Sequence, residues 1–142
     1  MEDSGRVVEK VREFNRFYMP AMKLLGNHYL GSEYSAAEAR ILFEIYENEG
    51  CNAAYIAKAM QIDKSYLSKI LAWHEKSGFL QRIPSAGDRR SYHLYLTQAG
   101  KERTEEFIRR SNEEIGAILQ NLSEREQLQL AQALDRIMEL LK

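Results

Sequence analysis

The sequence predicts a mainly α-helical fold that contains one small β-hairpin. Apolar residues recur at three- and four-residue spacing along most of the 142-residue chain, which is the pattern of amphipathic helices. Helix-capping residues and glycines separate these helical runs. Around residues 80–96 the pattern changes, because two short β-like runs flank a turn rich in Ser, Gly and Asp. Helices therefore dominate the predicted fold, and the hairpin interrupts them once.

The first helix is predicted near the N-terminus. Pro20 lies inside its apolar pattern, so we expect a kink or a break at that position. Gly26 is the predicted stop of this helix. Its apolar face consists of Val7, Val11, Phe14, Tyr18, Ala21, Met22 and Leu25.

The second helix has a well-marked start. Ser35 and Glu38 form the S-x-x-E pattern of a capping box, in which each side chain bonds the backbone N–H of the other residue. Gly50 is the predicted end. The predicted buried stripe consists of Ala39, Leu42, Phe43 and Tyr46.

Two short helices follow, with only about three residues between them, which is the spacing of a helix-turn-helix. Asn52 is the predicted N-cap of the first helix and Asp63 that of the second. Gly78 is expected to end the second helix. The residues predicted to face inward are Ile56, Ala57, Met60, Leu67, Ile70, Leu71 and His74.

The hairpin comes next. Leu80–Pro84 and Ser91–Leu96 are the predicted strands, and residues 85–87 are the predicted turn. Because side chains alternate along a strand, every second residue of the second strand should face the core. These residues are Tyr92, Leu94 and Leu96.

Two long helices close the chain. Thr97 is the predicted N-cap of the first, and Ser123 with Glu126 forms a capping box for the second. Both helices have long apolar stripes. The stripes consist of Phe107, Ile108, Ile115, Ile118, Leu119 and Leu122, and of Leu130, Leu134, Ile137, Met138 and Leu141.

The whole order predicts a winged helix-turn-helix with additional long helices at both ends. We predict a single domain, 1–142, in which residues 33–97 form the winged helix-turn-helix lobe. The segments 1–32 and 98–142 have apolar stripes that must be buried against something. A dimer interface built from both ends of the chain is the simplest way to bury them.

Composition limits the class of protein. Hydrophobic residues make up 44% and charged residues 29%, as in globular proteins. No apolar run approaches the ~20 residues of a membrane-spanning helix, and the polar, acidic N-terminus does not resemble a signal peptide. Together with the single cysteine, Cys51, this predicts a soluble cytoplasmic protein with no membrane partner.

The net charge of −1 conceals an uneven distribution. Residues 58–100 carry 7 Lys/Arg and 3 Asp/Glu, a net charge of +4. Residues 1–57 and 101–142 have net charges of −3 and −2. The basic middle segment and the two acidic end segments are therefore expected to have different functions.

Three segments resemble a known family. Residues 63–80, DKSYLSKILAWHEKSGFL, are similar to its recognition helix and the turn into its wing. Asp88 and Arg90 match its D-x-R wing pattern, and Leu96–Gly100, LTQAG, matches its L-T-x-x-G pattern after the wing. In these segments and in its element order, nearly the whole chain resembles the MarR family of bacterial transcriptional regulators. The resemblance implies a homodimer that binds a roughly palindromic duplex DNA operator, as a repressor released by a small molecule.

The sequence also departs from the family pattern. Gln61 stands where the turn of the helix-turn-helix usually has glycine. His74 replaces an apolar residue and Trp73 a charged one. Two segments, VREFNRFY at 11–18 and SYLSKIL at 65–71, are similar to MarR-like domains fused to N-acetyltransferases. A regulatory module related to such fusions, and a winged helix used for protein contacts, therefore stay open as alternatives.

The candidate DNA-binding residues lie on the second short helix and on the hairpin. A recognition helix reads base edges in the major groove with residues near its N-terminus. The outward-facing candidates are Lys64, Ser65, Tyr66, Ser68 and Lys69. An ordinary solvated helix face is the alternative interpretation.

In the hairpin, the resemblance implies that Asp88 pairs with the guanidinium of Arg90 and holds it for the minor groove. This narrow, electronegative groove attracts an inserted arginine. Arg89 is expected to contact the DNA backbone. An ordinary surface ion pair is the alternative. Lys58 and Arg82 are weaker candidates for phosphate contacts.

Other sites are less clearly indicated. The resemblance implies an effector, aromatic or anionic, near the junction of the dimer helices and the lobe, although ordinary packing also explains the aromatic residues there. The candidates are Phe14, Tyr18, His28, Tyr29, Tyr34 and Tyr46. Cys51 is interpreted as structural rather than as a redox sensor. No catalytic motif, metal-ligand spacing or phosphate-binding loop is present, so we predict no enzyme activity, metal or cofactor.

Overall fold

The computed structural model describes residues 2–142, apart from the side chains of Glu2 and Arg89. The described chain is mostly helical and contains a two-stranded antiparallel hairpin, which confirms the predicted fold class. It divides into two compact units, one up to Ile108 and one from Arg109 to Lys142. The elements are α1 (Glu2–Ala21), α2 (Ala36–Glu47), α3 (Ala53–Met60), α4 (Lys64–Lys76), β1 (Leu80–Ser85), β2 (Asp88–Leu96), α5 (Gln98–Leu119) and α6 (Glu124–Leu141), with a short 3₁₀ turn at Tyr29–Gly31.

Helix α1 ends earlier than predicted. It ends at Ala21, one residue after Pro20, and does not reach Gly26. Proline lacks the N–H that a helix interior requires, so the break near it was expected. Lys23 adopts the left-handed conformation (φ 55°), and the Leu24 N–H bonds the carbonyl of Met19 at 3.0 Å. This arrangement closes the helix with a Schellman-type turn, so Leu25 lies beyond the helix and does not extend its predicted apolar face.

Helix α2 begins at the predicted capping box. Ser35 Oγ accepts from the Glu38 N–H at 3.2 Å, and Glu38 Oε1 accepts from the Ser35 N–H at 2.8 Å. The predicted stripe was partly wrong, because Phe43 is 38% exposed while Ile41 and Ile45 are fully buried. A helix turns about 100° per residue, so Phe43 lies beside the buried face rather than on it. The helix ends at Glu47, before Gly50.

The helix-turn-helix has the predicted caps. Asn52 Oδ1 accepts from the Tyr55 N–H at 2.8 Å and starts α3. Asp63 Oδ2 accepts from the N–H groups of Ser65 and Tyr66, at 3.1 and 3.2 Å, and starts α4. Between the helices Gln61 takes the left-handed conformation (φ 53°) that glycine would adopt at lower cost.

The hairpin is longer than predicted. Its strands are joined by Ala86 and Gly87 alone, with Gly87 at φ +89°, so β2 begins at Asp88 and not at Ser91. Pairing is regular from Leu80↔Leu96 to Pro84↔Tyr92, but the next pair is Ser85↔Asp88. Tyr92 is 41% exposed, which makes its predicted core position wrong. The strand has passed beyond the core at this point, whereas Leu94 and Leu96 are buried against it.

The core of the first unit lies between α2, α3, α4, the base of the hairpin and the start of α5. It is apolar and nearly closed to solvent. Its largest fully buried side chains are Tyr34, Ile41, Leu42, Ile45, Ile56, Leu67, Leu71, Leu94, His74 and Thr104.

The start of α5 is held against the end of α4. The Thr97 N–H donates to the carbonyl of Phe79 at 3.0 Å, and the Thr97 hydroxyl donates to the carbonyl of Gly78 at 2.6 Å. Thr97 Oγ1 also accepts from the Gly100 N–H at 3.0 Å, which is the predicted cap. A Cβ at Gly100 would lie 2.1 Å from the Phe79 carbonyl oxygen, so this position has no space for a side chain.

The second unit, Arg109–Lys142, contains the rest of α5 and all of α6. Ser123 and Glu126 form the predicted capping box. No side chain of α6 is buried. The large exposed apolar residues of this unit are Ile115 and Ile118 on α5, and Leu128, Leu130, Ile137, Met138, Leu140 and Leu141 on α6. Over residues 2–142, no helix is long and apolar enough to cross a lipid bilayer.

The contact at Gly100 leads to a stability prediction. We expect Gly100→Ala to lower the free energy of unfolding by roughly 1–3 kcal/mol, because the added Cβ forces backbone apart. Gly116→Ala is the matched control in the same helix, where a Cβ meets nothing within 4 Å. The control should raise stability by about 0.5–1 kcal/mol, as alanine does in helices. Urea unfolding at fixed protein concentration measures both, and an unchanged midpoint for Gly100→Ala would contradict the close approach.

Candidate nucleic-acid interface

The outer face of α4 presents all five residues predicted from the sequence. Lys64, Ser65, Tyr66, Ser68 and Lys69 are all exposed, and Tyr66 keeps 39% of its surface accessible. The opposite face of the same helix is buried, through Leu67, Ile70, Leu71 and His74. The helix therefore exposes two ammonium groups, two serine hydroxyls and one aromatic ring, and its opposite face is packed in the core.

His74 joins the inner face of α4 to the start of α2 through a hydrogen bond. Its Nε2 lies 2.9 Å from the carbonyl oxygen of Glu38, and its ring is fully buried, 4.9 Å edge-on from that of Tyr34. Since a carbonyl only accepts, Nε2 carries the proton, and Nδ1 is buried without a partner. Burial lowers the pKa of His74, since the charged ring would lose its hydration.

On the wing, Asp88 holds the main chain of Arg90 rather than its guanidinium. Asp88 Oδ1 accepts from the Arg90 backbone N–H at 2.9 Å. No ion pair joins the Asp88 carboxylate to the Arg90 guanidinium among the described side chains, so the pairing implied by the family resemblance is not seen in this structure. The Arg90 side chain is exposed, and the side chain of Arg89 lies outside the described residues.

The two weaker candidates for phosphate contacts, Lys58 and Arg82, differ in their surroundings. Lys58 is exposed on α3. Arg82 Nε lies 3.4 Å from Glu75 Oε2, so this guanidinium faces a carboxylate at the end of α4 and is a poor phosphate contact. Among the described side chains, no ion pair joins Lys64, Lys69 or Arg90 to an acid.

The structure shows the predicted effector residues in three settings: on α1, around the 3₁₀ turn and at the end of α2. Phe14 and Tyr18 stack on each other along α1, with ring centroids 5.1 Å apart. His28, Tyr29 and Tyr34 surround the 3₁₀ turn, where His28 Nδ1 lies 3.0 Å from the carbonyl of Ser32. Tyr34 is only 1% exposed and packs inside the core, so its ring is not open to a ligand.

Tyr46 lines a cleft of about 270 Å³ between the end of α2 and the start of α5. Its hydroxyl donates to Glu105 Oε1 at 3.3 Å, and the Glu105 carboxylate raises the pKa of Tyr46. Lys101 and Glu49 pair across the same cleft at 3.4 Å. The polar groups of this cleft therefore bond one another.

The described part of the chain shows neither a thiol favoured as the reactive thiolate nor a cluster of metal ligands. Burial raises the pKa of the half-buried Cys51 thiol, which disfavours the reactive thiolate. Over the described residues, no group of three His, Cys, Asp or Glu is arranged to hold a metal ion.

Sequence reasoning missed a bridge between α5 and the segment before α2. Arg103 donates to Glu33 at 2.6 Å, and its guanidinium lies over the rings of Tyr34 and Phe107, at 5.9 and 5.1 Å from their centroids. Glu33 and Arg103 are 70 residues apart in the chain, so no local pattern pointed to this pair. The ring centroids of Tyr34 and Trp73 of α4 lie 4.6 Å apart, which links the bridge to α4.

These elements define a winged helix-turn-helix protein: two short helices about a tight turn, a two-stranded hairpin, and a long helix seated behind it. Residues 34–92, which span the helix-turn-helix and most of the hairpin, match the model of the MarR family. Over this segment the chain is therefore similar to the MarR family.

Two curated relatives are similar in sequence. A Thauera aromatica protein named for transcriptional regulation of the hcr operon is 32% identical over 78 residues, covering 53% of this chain and 47% of that protein. The HTH-type transcriptional repressor YetL of Bacillus subtilis (strain 168) is 24% identical over 105 residues, covering 72% of this chain and 63% of the repressor. The matches therefore span about half of the first relative and less than two thirds of the second.

Solved structures match over nearly the whole chain. A mutant MarR from E. coli complexed with operator DNA has a TM-score of 0.75 at 21% identity, covering 93% of this chain and 95% of that one. Streptococcus pneumoniae FabT in complex with DNA has a TM-score of 0.71 at 21% identity, covering 97% and 96%. At this level of identity the likeness concerns the fold.

The buried histidine leads to a prediction about pH. The pKa of His74 is lower in the folded chain than the ~6.5 of an unfolded one, so the unfolded state binds more protons below that value. The stability contribution of neutral His74 is complete above about pH 7 and is lost as the pH falls. We expect the unfolding free energy to decrease from pH 7 to pH 5 in the wild type.

The non-titrating variant His74→Gln should show less of this decrease, while its amide can still donate to Glu38. His28→Gln is the matched control, because it makes the same substitution at an exposed histidine outside the core. Urea unfolding at several pH values compares the three proteins. An equal pH dependence in the wild type and His74→Gln would show that His74 is not responsible.

Proposed function

We propose that this chain is a DNA-binding transcriptional regulator that reads duplex DNA with α4 and the hairpin. The observation that carries the proposal is the set of exposed cations on these two elements. Lys64, Lys69 and Arg90 have no acidic partner among the described side chains, within a segment, 58–100, of net charge +4.

Each element suits a different part of the duplex. Helix α4 offers Lys64, Ser65 and Ser68 near its N-terminus, the end that enters the major groove in helix-turn-helix proteins. Their ammonium and hydroxyl groups can bond base edges or phosphates. Arg90 projects from a narrow hairpin, which suits insertion into the minor groove. The phosphate contacts are expected to supply affinity, and the base-edge contacts specificity.

The comparisons support the proposal without supplying its details. The curated relatives are named as a regulator and a repressor of transcription. MarR and FabT were solved with DNA bound, and we infer a similar use of the same fold here. Repression is the expected direction of regulation.

We also propose that the chain acts as a homodimer. Helix α1 exposes Val7, Val11 and Phe14 at 60%, 46% and 38%, and no side chain of α6 is buried. Apolar faces of this length require cover in water. A second copy would provide it and would present two recognition helices to a roughly palindromic operator, with half-sites about one helical turn apart.

The small-molecule effector implied by the resemblance stays a proposal, and of its six candidate residues Tyr46 lines the cleft described above.

The DNA-binding proposal is tested with a duplex selected from random sequences. Arg90→Ala should weaken binding by about 1–3 kcal/mol, the value of one good contact. Lys69→Ala should weaken it less and lower the slope of log affinity against log salt by about 1, because one phosphate contact is lost. Fluorescence anisotropy across a salt series measures both effects.

Lys142→Ala is the control, since it removes a cation at the far end of the chain and should change little. A wild type that ignores every duplex at low salt would overturn the proposal and favour a winged helix used for protein contacts.

The dimer proposal is tested by placing a charge on the apolar stripe of α6. Ile137→Glu should shift the protein from dimer toward monomer, because burying an unpaired carboxylate is costly. Gln132→Glu adds the same charge on the polar side of α6 and should leave the dimer intact. Sedimentation velocity measures the mass in solution, and a wild-type monomer at micromolar concentration would contradict the proposal.

A further inference from the structure

A cluster of aromatic side chains lies between α4 and the start of α5. Its centre is Tyr34, which precedes α2 and is only 1% exposed. The Tyr34 ring meets the rings of Trp73 and His74 edge-on, with centroid distances of 4.6 and 4.9 Å. On the α5 side, the centroid of the Phe107 ring lies 6.3 Å from that of Tyr34. Since aromatic pairs at these distances attract one another, Tyr34 links the two helices.

Arg103 of α5 holds this cluster from one side. Its guanidinium carbon lies 5.9 Å from the Tyr34 ring centroid and 5.1 Å from that of Phe107. Its Nη2 donates to Glu33 Oε2 at 2.6 Å. A cation over an aromatic face is attracted to the ring, and a short bond to a carboxylate fixes the direction of the guanidinium. Arg103 therefore attaches two successive residues, Glu33 and Tyr34, to α5.

Tyr34 is attached to the last turns of α4 in turn. Burial raises the pKa of Tyr34, and a side-chain hydrogen bond with Ser77, the C-cap of α4, opposes this shift. Trp73 is 37% exposed, so it has fewer neighbours than a core side chain and depends more on the Tyr34 ring. Trp73 and His74 are also the positions at which α4 departs from the family pattern.

We infer that Arg103 is a positioning residue for α4, because it holds the Tyr34 ring against Trp73 and so fixes the direction of that helix. This inference rests on the proposed function, since it concerns how α4 is presented to duplex DNA. Arg103 lies outside the basic segment 58–100, and its guanidinium is already bonded to Glu33. Its effect on DNA is therefore indirect. Hydrogen bonds to base edges weaken steeply with distance and angle, so a small rotation of α4 weakens several of them together.

An ordinary surface ion pair is the alternative role for Glu33 and Arg103. Such a pair contributes little to stability and would not reach α4. The two roles differ at Trp73, which is the only tryptophan of the chain. Its fluorescence in the free protein reports the surroundings of this one ring, and this measurement needs no DNA.

The first measurement is acrylamide quenching of Trp73 fluorescence in the free protein. Arg103→Gln and Glu33→Gln should both increase quenching, because each removes one half of the bridge that holds the Tyr34 ring. Lys101→Gln is the matched control, since it removes a neighbouring cation of α5 whose partner, Glu49, lies 3.4 Å away in a different place. The control should leave quenching unchanged.

The second measurement is affinity for the selected duplex at one salt concentration. Arg103→Gln should bind about three- to tenfold more weakly, as expected when residues in contact are uncoupled. Lys101→Gln changes the net charge equally and should stay within about twofold of the wild type. Glu33→Gln makes the chain more positive, so weaker binding by this variant would exclude net charge as the cause.

The double variant Arg103→Gln/Glu33→Gln tests whether the two residues act as one unit. It should bind no more weakly than Arg103→Gln alone, because both changes break the same bridge. Circular dichroism and thermal unfolding verify that each variant folds. Glu33 is 53% exposed, so Glu33→Gln keeps the comparison available where Arg103→Gln is too unstable.

Unchanged Trp73 quenching in both single variants would overturn the inference, whatever happens to DNA binding. Equal losses of affinity in Arg103→Gln and Lys101→Gln would also overturn it, as would additive losses in the double variant. If the wild type binds no duplex while Trp73 responds as expected, the proposed function fails and the positioning of α4 by Arg103 stands.

Discussion

The fold depends on the close approach between the start of α5 and the end of α4. Gly100 lies so near the Phe79 carbonyl that no side chain fits, and Thr97 bonds the carbonyls of both Gly78 and Phe79. Helix α4 ends at this point, the hairpin begins here, and the chain returns here from β2 into α5. One small region therefore fixes the directions of the recognition helix, the wing and the helix behind them. This contact gives the L-T-x-x-G pattern a physical meaning, since Thr97 supplies the bonds and Gly100 the space.

A second set of contacts fixes the opposite side of α4. His74 bonds the Glu38 carbonyl, and Tyr34 packs against both His74 and Trp73. Arg103 covers the Tyr34 ring and pairs with Glu33, which joins α5 to the same cluster. A buried polar ring costs free energy unless it is bonded, and His74 has only one of its two nitrogens satisfied. These contacts therefore fix the position of α4, but part of the stability of its packing depends on the titratable side chain of His74.

The sequence predicted what depends on short-range chemistry. The caps at Ser35, Asn52 and Asp63 were right, because a cap is decided within three residues. Phe43 and Tyr92 were predicted to be buried and are exposed. The periodicity of a sequence indicates which face of an element is apolar, but not how far neighbouring elements cover that face. The Glu33–Arg103 bridge depends on the tertiary fold alone. For Asp88, the family resemblance implied a contact with the Arg90 guanidinium, and the structure shows a hydrogen bond from the Arg90 main-chain N–H instead.

The acidic residues of the basic segment explain how a chain of net charge −1 can present a cationic surface. Between residues 58 and 100 there are three acids, and each is bonded to the protein itself. Asp63 caps α4, Glu75 faces Arg82, and Asp88 holds the wing backbone. Charges separated by more than a Debye length, about 8–10 Å in physiological salt, are largely screened. The three acids within the segment hold α4 and the hairpin in shape, and no ion pair joins Lys64, Lys69 or Arg90 to an acid among the described side chains.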